Sequence, residues 1–187
     1  MTKLILHGGG DPAESKLKIM IREIEKDIPK DKSIKILIAP FARAKEEWKG
    51  VFDRYSKRYV GISAKKIFIL ASPHSRELKN QVKISDVIFF PGGSERLLKK
   101  YIKYIDFSLF KNKTIVGVSA GANIFSSSYY SNDRGAVEKG FYKLPIKTIC
   151  HFNDLKKNQL KKLILGREKS KKITLAIGEG DFFVLFF

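Results

Sequence analysis

A chain of 187 residues with 37 Lys and Arg against 19 Asp and Glu carries a formal charge of +18. At about 100–200 residues per domain this length fits one domain, residues 1–187, and 43% hydrophobic residues with 12% aromatic are enough for a core, which excludes a disordered basic tail. The apolar runs fall short of the roughly 20 residues of a membrane span and the N-terminus lacks the roughly 7–15 apolar residues of a secretory signal. The single Cys150 excludes an intramolecular disulfide and a multi-cysteine zinc site, so the chain reads as cytoplasmic.

Along the chain, short runs of β-branched and aromatic residues alternate with segments whose apolar spacing is near three and four. Lys3 to Leu6 predicts a strand, Ser15 to Asp27 a helix, Ile34 to Ala39 a strand and Lys45 to Tyr59 a helix. Ile67 to Ala71 and Val87 to Phe90 follow as strands, with helices at Arg76 to Gln81 and Glu95 to Tyr104. Thr114 to Val118 predicts a strand, Ala120 to Ser128 a helix and Ile173 to Ile177 a strand. This alternation predicts an α/β fold of three layers: an open, mostly parallel sheet with helices on both faces and its site at the carboxyl ends of the strands.

The charge is spread along these elements. Of the 37 cations 29 are Lys, placed singly or in pairs with acidic residues between them. Nucleic-acid binders concentrate cations on one face and interleave exposed aromatics, so the pattern argues against a nucleic-acid surface. The richest cluster, Asp154 to Lys172, sets Lys156, Lys157, Lys161, Lys162, Lys169, Lys171 and Lys172 around Leu155, Leu160, Leu163 and Ile164, as on the solvated face of a helix.

Three glycine-rich turns fall at strand ends: His7-Gly8-Gly9-Gly10, Pro91-Gly92-Gly93-Ser94 and Gly117-Val118-Ser119-Ala120-Gly121. The third carries the strongest chemical signal. A G-x-S-x-G pattern between a predicted strand and a predicted helix is a nucleophile elbow, in which the glycines admit a sharp turn and the Ser119 hydroxyl projects into a cleft. The amide of Ala120, next in the chain, can donate to a developing oxyanion. A serine hydroxyl needs a base, usually a histidine held by a carboxylate. The residues alone leave His7, His74 and His151 open as that base. Cys150 adjoins His151, but neighbours on an extended strand point to opposite faces, so Cys150 reads as a small buried residue.

Four pieces in order carry a resemblance: Phe89-Phe90-Pro91-Gly92-Gly93, Gly117 to Asn123, His151-Phe152 and Gly178-Glu179-Gly180. With them the sequence resembles peptidase family S51, the group of aspartyl dipeptidase (peptidase E) and cyanophycinase, whose sheet is similar to that of class I glutamine amidotransferases. The resemblance implies Ser119 as nucleophile, His151 as base, and an oxyanion hole shared by Gly92 or Gly93 and Ala120. It further implies Glu179 as the carboxylate that orients His151 and Asp133 as the anchor of the substrate's amino group; the alternative gives the relay to Asp133. No metal or cofactor is implied.

A serine peptidase acting on short peptides, dipeptides with N-terminal aspartate foremost, is therefore expected. The arginine that aspartate-specific members carry after the His-Phe pair has only Lys156 as a loose positional counterpart here. The alternatives are a hydrolase of other acidic peptides, a non-catalytic relative, or a polyanion binder. Relatives continue further past the Gly178-Glu179-Gly180 turn, so a compact or C-terminally trimmed version of the fold is expected. The four phenylalanines in the last six residues either lie at a sheet edge or form an apolar end that invites homodimerisation.

Overall fold

The computed structural model describes residues 1–29, 32–59, 65–142, 144–166 and 172–187. The first half of the chain alternates as the pattern predicts: β1 (Lys3–His7), α1 (Glu14–Glu25), β2 (Ile34–Ile38), α2 (Trp48–Arg58), β3 (Lys66–Leu70), α3 (Ser75–Ile84), β4 (Val87–Phe90), α4 (Glu95–Ile102) and β5 (Thr114–Val118). Every residue of β1, β4 and β5 is buried, as expected of parallel strands covered on both faces. These strands and β10 (Phe182–Phe186) form a six-stranded sheet in the order β10-β1-β5-β4-β2-β3. All pairs are parallel except β10 on β1, where Phe182 lies opposite His7 and Phe186 opposite Lys3.

The terminal phenylalanines thus form an edge strand. Phe182 and Val184 pack against the core beneath α1 and α2, while Phe183, Phe186 and Phe187 remain exposed. Among the described residues, no helix is long and apolar enough to cross a membrane.

The expected helix over Ala120 to Ser128 does not form at that length. After one turn, α5 (Ala120–Asn123), the chain turns into β6 (Ser126–Ser131). Serines compete for backbone hydrogen bonds and favour helix ends, and Ser126 Oγ donates to the Asn123 carbonyl at 2.7 Å, closing the turn. The β-prone Tyr129 and Tyr130 then continue as strand. A second sheet follows that the alternation pattern does not anticipate, made of β6, β7 (Ala136–Lys139), β8 (Leu144–Phe152) and β9 (Ile173–Gly178) in the order β7-β6-β8-β9.

Each face of the first sheet has its own core. Ile5, Val116, Ile38 and Phe89 pack with Met20, Ile24 and Tyr59 from the α1 and α2 side. On the other face Leu4, Leu37, Ile88 and Phe90 pack with Leu78, Leu98, Phe110 and Phe125, joined by Ile146, Cys150, Leu175 and Ile177 of the second sheet. That shared core holds the carboxyl ends of β5, β8 and β9 together. In α6 (Lys157–Leu165) Leu163 is buried, whereas Leu155, just before it, and Ile164 are exposed. Lys169 and Lys171 of the predicted cationic cluster lie outside the described residues.

Candidate active site

Ser119 sits between β5 and α5 with φ 51° and ψ −108°, a conformation that L-residues other than glycine rarely adopt. Strain of this kind persists only where the surroundings over-determine it. Here the Ser119 amide donates to the His7 carbonyl at 2.9 Å and its carbonyl accepts from Ala122 and Asn123. A side chain at Gly121 would meet the Phe90 carbonyl at 2.1 Å, which explains why a glycine follows two residues after the serine.

His151 is brought in by β8. The pairing of β8 with β9 shifts register between Cys150 and Phe152, so His151 is the extra residue of a bulge, a device that re-aims a side chain. Its φ is 54° and its amide donates to the Gly8 carbonyl at 2.8 Å. Thus re-aimed, Nε2 lies 2.9 Å from Ser119 Oγ and Nδ1 lies 2.8 Å from Glu179 Oε1. With a carboxylate at Nδ1, that nitrogen carries the proton and Nε2 is left to accept from the serine hydroxyl.

Glu179 follows β9 in a turn stitched to the His7-Gly8-Gly9-Gly10 turn. Gly180 donates to the Gly9 carbonyl at 2.8 Å and Gly8 to the Asp181 carbonyl at 3.0 Å. The Glu179 side chain is 66% exposed and that of His151 31%, so their hydrogen bond is partly open to solvent.

Of the three histidines, only His151 reaches Ser119. His7 is buried on β1; its Nδ1 accepts from the Gly9 amide at 3.0 Å, and burial, reinforced by the Arg58 guanidinium, pulls its pKa down to about 4. His74 is an exposed residue at the start of α3. Cys150 points away from the cleft, its thiol 3.3 Å from Asn123 Oδ1, and burial pushes its pKa up to about 12. Asn123 also accepts from Thr148 Oγ1 at 2.9 Å and donates to Glu95 at 2.8 Å, tying the turn after Ser119 to both β8 and α4.

The Gly92-Gly93 turn follows β4 and abuts the serine; a side-chain carbon at Gly92 would lie 3.3 Å from Ser119 Cβ. Among the described residues the amides of Gly92, Gly93 and Ala120 have no protein acceptor. Gly92 and Gly93, together with Ser119 and His151, border a cleft of about 660 Å³ that also includes Arg43, Arg54, Tyr55, Asn132 and Asp133.

Asp133, in the turn between β6 and β7, therefore faces the cleft but makes no contact with His151; Glu179 occupies that position. Lys156 ends a short 3-10 turn before α6 and does not line the cleft. The cations that do line it, Arg43 and Arg54, come from the loop after β2 and from α2. They had no sequence signal, because an arginine on an amphipathic helix reads as a solvated face. The packing of Gly9 and Gly10 against the histidine and the glutamate was equally hidden, although the glycine run itself marked the turn. Among the described residues, no group of three or more His, Cys, Asp or Glu side chains is placed to hold a metal.

The model of peptidase family S51 matches residues 4–179 of the chain. No curated protein sequence matches it. Among solved structures, a peptidase from an acI-B1 Actinobacterium is 22% identical with a TM-score of 0.68, covering 99% of this chain and 83% of its own. A Listeria monocytogenes EGD-e protein assigned as peptidase E is 16% identical with a TM-score of 0.66, covering 100% of this chain and 99% of its own. At these identities the two likenesses speak for the shared α/β fold.

Proposed function

The chain belongs to peptidase family S51, and we propose that it hydrolyses short peptides, dipeptides with N-terminal aspartate foremost, through Ser119, His151 and Glu179. The observation that carries this reading is the continuous hydrogen-bonded path from Ser119 Oγ to His151 Nε2 and from His151 Nδ1 to Glu179, at 2.9 and 2.8 Å.

In this mechanism His151 Nε2 takes the hydroxyl proton as Ser119 Oγ attacks the scissile carbonyl. Glu179 holds the Nδ1 proton and balances the imidazolium that forms. The negative charge on the carbonyl oxygen is met by the amides of Ala120 and of Gly92 or Gly93, which have no protein acceptor among the described residues. His151 returns its proton to the leaving amine, and water repeats the sequence on the acyl-enzyme. Asp133, which lines the cleft, receives the substrate's ammonium group.

A panel of Asp-X, Glu-X and neutral dipeptides, assayed with the wild type and Ser119→Ala, tests the reading. The wild type is expected to cleave Asp-X fastest, and the substitution to abolish cleavage with an unchanged melting temperature. If the wild type cleaves no dipeptide and a fluorophosphonate probe fails to label Ser119, the reading is wrong.

A further inference from the structure

Resting on the peptidase reading, we infer that Arg43, Arg54 and Tyr55 form a carboxylate-receiving wall of the cleft and take the anionic end of the peptide substrate. All three line the same cleft as Ser119 and His151. The Arg43 guanidinium is oriented by its Nε, which donates to the Gly92 carbonyl at 2.9 Å; its terminal nitrogens stay available and sit beside the turn assigned to the oxyanion. Among the described residues neither Arg43 nor Arg54 has an ion-pair partner, whereas Arg58, one turn further along α2, is held by Asp11 at 2.9 Å. The acidic residues of this wall are already engaged: Asp11 by Arg58, and Glu47 by the Ala44 amide at 3.1 Å.

Tyr55 lines the cleft alongside the two arginines. Its ring packs on Phe89 and Tyr59, so the side chain is fixed by the core of the first sheet. Burial raises its hydroxyl above the usual range against the opposing pull of Arg58, Arg43 and Arg54, so the phenol stays a proton donor beside those guanidinium groups. Two unpaired guanidinium groups and a phenol O–H offer donors in the planar geometry that a carboxylate accepts in pairs. Asp133 enters the cleft from the second sheet, so the cleft presents an acid for an ammonium group and a separate cationic wall for a carboxylate. A short zwitterionic or acidic peptide matches that division.

The carboxylate has two sources, the side chain of an N-terminal aspartate or the C-terminus of a short peptide. Binding is measured by calorimetry in Ser119→Ala protein, which separates recognition from turnover, using Asp-Leu, Ala-Leu and Asp-Leu-amide. Adding Arg54→Gln is expected to weaken Asp-Leu binding by about 10-fold, with Arg54→Lys intermediate because a point charge lacks the bidentate fork. Melting temperatures monitor the fold. The penalty of Arg54→Gln disappears for Ala-Leu if the side chain is the group received, and for Asp-Leu-amide if it is the C-terminus. Equal Asp-Leu affinity with and without Arg54→Gln, or no peptide binding at all, overturns the assignment. Steady-state kinetics separate the two claims: a wild type that cleaves Asp-Leu, with Arg54→Gln leaving KM unchanged, refutes the carboxylate wall alone, whereas a wild type that cleaves nothing refutes the peptidase reading.

Discussion

Gly9 and His151 are in contact so close that a single methyl group cannot be placed between them: a Cβ built on Gly9 would stand 2.2 Å from His151 Cε1 and 2.4 Å from Nε2. Gly9 also has φ +97°, where an L side chain is strained. The turn after β1 is therefore a wall against which the imidazole rests, and its shape sets where Nε2 meets Ser119.

Gly9→Ala is expected to push the imidazole away from Ser119. A displacement near 1 Å costs about 100-fold in rate, whereas the backbone strain costs about 1–2 kcal/mol, or roughly 2–8 °C in Tm. Dipeptidase kinetics beside a thermal melt check this. An activity loss no larger than the unfolded fraction explains would refute the positioning role.

Glu179 and Asp133 are expected to separate by kinetic signature. Glu179→Gln keeps the size of the side chain but removes the charge that balances the imidazolium, and a full triad carboxylate is worth up to about 10⁴-fold. Because Glu179 is 66% exposed, water screens part of that charge, so the expected loss is nearer about 100-fold in kcat. Asp133→Asn is expected instead to raise KM with kcat little changed. The reverse pattern, with Asp133 controlling kcat, would assign the relay to Asp133.

Much of this architecture could be read along the chain, and what could not has physical causes. The inner strands β1, β4 and β5 are short, mainly apolar runs because both their faces are covered, and Gly117-Val118-Ser119-Ala120-Gly121 is local geometry written in local residues. The strand β8 is different: it carries Pro145 and Lys147, which read as turn and solvent. Lys147 is in fact buried, its ammonium donating to the Leu163 and Ile164 carbonyls at 3.0 and 3.3 Å where α6 ends. The serine run of β6 likewise reads as the tail of a helix, since its strand partners lie on β7 and β8. Without the family resemblance carried by His151-Phe152, the residues do not choose among the three histidines, because the distinction between them is tertiary. In the fold, the bulge in β8 and the hydrogen bond from the His151 amide to the Gly8 carbonyl set that histidine apart from His7 and His74. Arg43 and Arg54 reach the cleft of Ser119 from the loop after β2 and from α2, so no local sequence pattern joins them to the serine.

Cys150 precedes His151 in the chain yet is expected to take no part in the reaction. Nucleophilic sulfur requires thiolate, and burial holds this thiol near a pKa of about 12. At pH 8 the folded protein should react with Ellman's reagent only at the rate of unfolding, with full reaction in denaturant, and iodoacetamide should leave peptide hydrolysis intact. Rapid labelling of the native protein with loss of activity would make Cys150 the nucleophile in place of Ser119.

His7 supplies an acid limit to stability. Its folded pKa of about 4 lies below the ordinary value of 6.5, so between these values the unfolded chain binds more protons than the folded one. Stability therefore rises with pH across this window. The contribution is complete above about pH 6.5 and is lost as pH falls toward 4. The full depression corresponds to about 3 kcal/mol at a site only 2% exposed. Protonation also removes the acceptor at Nδ1 that holds the Gly9 amide, which loosens the wall behind His151. His7→Asn retains an acceptor for that amide without titrating. The difference in melting temperature between wild type and His7→Asn is expected to move by roughly 6–12 °C from pH 7 to pH 4, always to the detriment of the wild type. Parallel pH profiles for the two proteins would show that His7 is not the titrating group.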